Sequence, residues 1–214
     1  MASAIRPIGW LAAILRLAIA ALVVVGIVSI LLAAVEPKLF NFFGYFTVQA
    51  NLILAAVYVV SAVLILRGRQ ESILFTAIRA CATTYIMVVG IVYVTLLAPL
   101  GADVGMRYAW VNVVLHYLTP VYALVDWIVC PKPHRLPFRR LWLVVIYPAV
   151  WLAVVLIRGA TDGWVPYPFL DPRQGYVAVA GYALAILVVM LAFGALVFGL
   201  SRVNLRRSGA PSAR

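Results

Sequence analysis

Six stretches free of charged residues divide the chain, over 17–35, 39–66, 80–102, 108–125, 141–157 and 174–201. A hydrocarbon core of about 30 Å takes about 20 apolar residues of helix to cross. Each stretch therefore predicts a membrane-spanning helix, with interfacial residues extending the helices to about 10–35, 40–66, 75–99, 107–130, 141–157 and 175–201. The second and last stretches exceed one span, so they tilt or carry interfacial residues. The fifth is the shortest and contains Pro148. Strands of a membrane barrel alternate apolar and polar residues, and these runs do not. The expected fold is all-α, a single six-helix transmembrane domain over 1–201 followed by a basic tail, 202–214.

Composition agrees. The chain is 66% hydrophobic and 11% charged, against about 45–50% and about 25% in soluble domains. Its 17 basic and six acidic residues give a net charge of +11. Six crossings put both termini on one side. With the second and fourth loops and the helix ends, that side holds Arg6, Arg16, Arg67, Arg69, Arg79, Lys132, Arg135, Arg139, Arg140, Arg202, Arg206, Arg207 and Arg214. The other side keeps Lys38, Arg107, Arg158 and Arg173, beside Glu36, Asp103, Asp162 and Asp171. Basic residues gather on cytoplasmic loops, so both termini are expected to be cytoplasmic. The charge then needs no nucleic-acid partner; membrane lipid is the expected one. The first apolar run is longer than the 7–15 or so residues of a cleaved signal peptide core, and it reads as a retained span. The preference for Arg over Lys, with abundant Ala and Val, points to a GC-rich bacterial genome and hence to the bacterial plasma membrane.

Cys81 and Cys130 fall near inner helix ends, where a reducing compartment disfavours a disulfide. Of the two histidines only His116 lies in a span, which excludes a haem held by two intramembrane histidines. No metal motif, P-loop or dinucleotide fingerprint is present, and no cofactor is expected. Oligomeric state is not encoded in any motif; the Gly101–Gly105 spacing falls in a loop.

Polar side chains inside spans are costly, and they either join helices or mark function. Thr47, Asn51 and Tyr58 share one face of the second helix, while Gln49 lies on another. In the fourth helix Asn112, His116 and Thr119 share a face, with Pro120 expected to kink it. At 1.5 Å per residue, Thr47 falls roughly 10 Å and His116 roughly 12 Å below the outer surface. At matched depth a hydroxyl nucleophile and an imidazole base can meet, with Asn112 or Asn51 orienting the ring or donating to an oxyanion. The plainer account is that Thr47 bonds its own backbone and His116 joins helices. Arg79 and Asp126 match in depth near the inner ends of helices three and four, and are expected to form a structural ion pair. The aromatic outer loop, 158–175, reads as a flap over the bundle or as interfacial anchoring.

The stretch Phe42-Phe43-Gly44-Tyr45-Phe46-Thr47-Val48-Gln49-Ala50-Asn51-Leu52 resembles the Pr6Pr family of bacterial six-span membrane proteins, as do Leu115-His116-Tyr117, Asp126-Trp127 and Pro166-Tyr167-Pro168-Phe169-Leu170-Asp171. That family is more distantly similar to the eukaryotic androgen-induced and androgen-dependent membrane proteins. Those are six-span hydrolases of fatty acid esters of hydroxy fatty acids, acting through an intramembrane Thr and His. The resemblance implies Thr47 as nucleophile and His116 as base. Asn51, Asn112, Tyr45 and Gln49 are the candidate binding residues for a lipid-like substrate. The alternative from another class is a lipid-binding or small-molecule transport protein that cleaves nothing. An inverted repeat with paired broken helices would favour a coupled transporter, and the sequence has none.

Overall fold

The computed structural model describes residues 7–36, 38–101, 108–130 and 132–203. Arg6, Asp103, Arg107, Arg206, Arg207, Arg214 and the tail beyond Val203 lie outside these residues. Among the described residues the chain is helical and contains no strand. Six helices are long and apolar enough to cross a membrane, which makes this an integral membrane protein. They are α1 (Pro7–Ala33), α2 (Phe46–Leu66), α3 (Ile73–Leu100), α4 (Ala109–Val129), α5 (Leu143–Thr161) and α6 (Tyr176–Leu200).

The apolar runs forecast all six, with two differences. The second span is not continuous from residue 40. A short helical turn, Leu39–Phe42, ends at Phe43-Gly44, and α2 begins only at Phe46. The indole of Trp164 fills the space where a Gly44 Cβ would lie, so only glycine admits it. The fifth helix runs on to Thr161, beyond the expected 157, because Arg158 closes its last turn on Asp162 with an N–O distance of 2.8 Å.

The helix α3 lies at the centre, against α2, α4, α5 and α6, with α1 packed on α2. Most side chains of α3 are buried, whereas in α5 only Val144 and Val155 are. An apolar face left outward in this way suits acyl chains rather than water.

Two prolines shape the interior. A proline supplies no N–H to the carbonyl four residues earlier and crowds it. Pro99 and Pro120 each follow a π-helical segment, Tyr93–Leu97 in α3 and Val114–Leu118 in α4. The expected kink at Pro120 is thus taken up as a widened turn. Gly90 of α3 admits the Pro120 ring, since a Cβ there would stand 2.9 Å from its Cβ and Cγ. That close approach brings the two π segments face to face.

Candidate functional site

Thr47 is the second residue of α2, where backbone N–H groups have no partner within the helix. Its amide donates to Tyr167 Oη at 3.1 Å, and its own hydroxyl lies 3.3 Å from the same oxygen. Tyr167 comes from the α5–α6 loop, which folds inward so that Tyr167, Phe169 and Leu170 are buried. The Tyr45 ring packs edge-on against Tyr167 and Trp164. Burial pushes the Tyr167 phenol up to about 12, against the opposing effect of its Thr47 hydrogen bonds. It is therefore neutral and keeps its hydrogen.

Beside this pair lies a cavity of about 470 Å³ between α3, α5 and α6. Its walls include Val88, Val92, Leu152, Leu187 and Met190, and Thr47 and Tyr167 bring the hydroxyl groups to an otherwise hydrocarbon lining. His116 is not among the lining residues.

The imidazole of His116 lies in the π segment of α4 and is 4% exposed. Its Nδ1 is 2.5 Å from Asn112 Oδ1, and the Tyr93 ring stacks on it with centroids 3.9 Å apart. Asn112 Nδ2 donates to Tyr93 Oη at 2.6 Å. Asn51 connects this group to Thr47. Its Nδ2 donates to Thr47 O at 2.9 Å and to Leu115 O at 3.2 Å, and its Oδ1 accepts from Thr119 at 3.0 Å. Asn51 is wholly buried and has a donor and an acceptor role, so it fixes α2 against α4. Thr47 and His116 therefore stand on adjoining helices, with Tyr167 as the hydrogen-bond partner of the Thr47 hydroxyl. Gln49 faces elsewhere, accepting from Tyr147 Oη and donating to Phe43 O at 2.6 Å, beside a smaller cavity of about 270 Å³.

At the opposite end of the bundle four charges are buried together. Asp126 takes Arg16 side-on, at 2.8 and 3.0 Å, and Arg79 at 3.4 Å. Glu71 pairs with Arg79 at 3.1 Å and accepts from Ser61 at 2.7 Å. Arg79 also lies over the Trp127 ring at 4.6 Å. The closest partner of Asp126 is thus Arg16, which lies inside α1 rather than at its flank, and Arg79 belongs to a four-charge group. Cys81 and Cys130 are free thiols.

Tyr167 was not singled out as a site residue by the sequence. The signals were its place between two prolines in an aromatic loop and its position in the Pro166-Tyr167-Pro168-Phe169-Leu170-Asp171 stretch. No protein-family model, curated protein or solved structure matches the chain.

Proposed function

We propose that the protein accepts the acyl chain of a membrane lipid into the α3–α5–α6 cavity and hydrolyses its ester at Thr47. The observation that carries this reading is the placement of the Thr47 and Tyr167 hydroxyls on a hydrocarbon-lined cavity. Its volume of about 470 Å³ lies in the range of small-molecule sites, about 300–1,000 Å³. Apolar walls with a few convergent polar groups are the usual form of a small-molecule site, and a lipid acyl chain suits walls this apolar.

In this mechanism the substrate carbonyl takes the Tyr167 hydroxyl as hydrogen-bond donor. Thr47 Oγ1 is then released from Tyr167 and passes its proton to His116, directly or through one water. The oxygen attacks the carbonyl carbon, and Tyr167 stabilises the oxyanion. Collapse expels the alcohol, which takes the proton back from His116. Water then attacks the acyl-Thr47 ester, giving a proton to His116, which passes it to Thr47 Oγ1 as the fatty acid leaves. Substrate of the hydroxy fatty acid ester type fits the resemblance. Termini on the cytoplasmic side, as the basic residues indicate, place the cavity end toward the outer leaflet.

A second reading is lipid binding without hydrolysis. The bond from Thr47 to Tyr167 rather than to imidazole favours it. Hydrolysis of a lipid-ester panel by purified wild type, Thr47→Ala and His116→Ala separates the two. Turnover in the wild type that both variants lose supports the hydrolase. Turnover retained by either variant refutes its assigned role, and an inactive wild type that still binds a fluorescent fatty acid supports the second reading.

A further inference from the structure

The cavity that holds the Thr47 and Tyr167 hydroxyls has a definite length, a closed end and an open side. Its lining runs from Leu156 to Val145 along α5 and from Ala180 to Met190 along α6. At 1.5 Å per residue these stretches are about 16 Å and about 15 Å long. Half of a hydrocarbon core of about 30 Å is one leaflet, so the cavity is one leaflet deep. Thr47 and Tyr167 stand at the end near the α5–α6 loop, and Val145 and Met190 at the other. Met190 is buried. One turn beyond it Gly194 brings α6 onto α5, since a Cβ there would stand 3.0 Å from Leu141 Cδ1 and 3.2 Å from Val144 Cγ2. That contact shuts the seam between the two helices past Met190. Nearer Thr47 the seam is open. Ala149, Ala180 and Leu184 line the cavity and are also exposed on the bundle surface, Leu184 at 62%. In a membrane-spanning bundle that surface meets acyl chains.

We propose that the cavity takes one acyl chain of a bilayer lipid sideways through the α5–α6 seam, with its methyl end on Met190 and its carboxyl end at Thr47 and Tyr167. A lipid entering this way keeps the orientation it has in the leaflet and never crosses water. The class selected is a bilayer-resident lipid whose carbonyl lies at the interface with one chain beneath it. Met190 sets the greatest chain length, and the small side chains of Ala149 and Ala180 leave the entrance open. Route and orientation rest on the cavity being an acyl-chain site, yet binding alone tests them, whatever becomes of the ester chemistry.

The test uses the full chain in phospholipid nanodiscs and two photoactivatable fatty acids, one with a diazirine at the methyl end and one with it beside the carboxyl group. Labelling that excess unlabelled fatty acid suppresses is located by peptide mass spectrometry. We expect the methyl-end probe on the peptides carrying Val145 and Met190, and the carboxyl-end probe on those carrying Thr47 and Tyr167. The reverse pattern, or both probes at both ends, overturns the orientation. Ala149→Trp and Ala180→Trp fill the seam and should lower suppressible labelling roughly tenfold or more, as overpacking does, with Ala180→Leu as the milder change if tryptophan prevents folding. Val150→Trp and Val188→Trp, exposed on the same helices outside the cavity lining, should leave it unchanged. Full labelling in the folded seam variants overturns the lateral route. In a series of competing fatty acids, Met190→Ala should lengthen the longest effective chain by about three methylenes, the heavy atoms the side chain loses; an unchanged limit overturns its role as the floor. Suppressible cavity labelling without ester turnover keeps the route and removes the hydrolase, whereas no such labelling by either probe removes the acyl-chain site and the route with it.

Discussion

Replacing Asp126 by alanine leaves an uncompensated charge among buried groups. Arg16 and Arg79 are balanced by Glu71 and Asp126, with side chains between 1% and 9% exposed. Without Asp126 the group carries two guanidiniums against one carboxylate, and Arg16 loses both of its short contacts, at 2.8 and 3.0 Å. Its remaining carboxylate is Glu71, 4.0 Å away. Removing one partner of a buried pair costs about 3–5 kcal/mol, because the other charge stays desolvated. Removing both partners for apolar groups of similar size costs far less. Asp126→Ala should therefore lose about 3–5 kcal/mol, and Arg16→Met with Asp126→Leu should lose less than the single change. Unfolding in detergent, followed by tryptophan fluorescence, measures both. Hydrolysis per folded molecule should stay unchanged, since the group lies at the end of the bundle away from Thr47. Unaltered unfolding of Asp126→Ala, or a double variant no more stable than the single one, would refute the reasoning.

Tyr167→Phe leaves the Thr47 amide without its partner. It should cost about 1–3 kcal/mol and, if Tyr167 stabilises the oxyanion, reduce kcat roughly 10²–10³-fold; unfolding and single-turnover kinetics measure the two effects. Leu187→Trp narrows the cavity wall, so KM should rise for long-chain esters and stay constant for short ones in a chain-length series. Gly44→Ala sets a methyl group against Trp164 and should cost about 1–3 kcal/mol through overpacking. Faster limited proteolysis of the α5–α6 loop would register the displaced indole.

The six spans were legible because membrane solvation acts on every residue of a run, which makes composition sufficient. Thr47, Asn51, Asn112 and His116 were legible as inward-facing for the same reason, since each polar group needs a protein partner at that depth. The identity of those partners was not. Tyr167 reaches Thr47 across 120 positions of sequence, through a loop whose path depends on Gly44 admitting Trp164. Arg16 looked like a flanking charge because its partners, Asp126 and Glu71, come from α4 and the α2–α3 turn. A helix period reports which face a residue occupies, whereas the π segments that bring Tyr93 onto His116 arise from prolines acting on backbone carbonyls a turn earlier.

The most direct test of the hydrolase account is the mass of the protein after brief mixing with an activated long-chain acyl ester, followed by peptide mapping. The account predicts one added acyl group on the peptide carrying Thr47, slow to leave in His116→Ala and absent in Thr47→Ala. An unmodified protein, or an adduct that persists in Thr47→Ala, would contradict it.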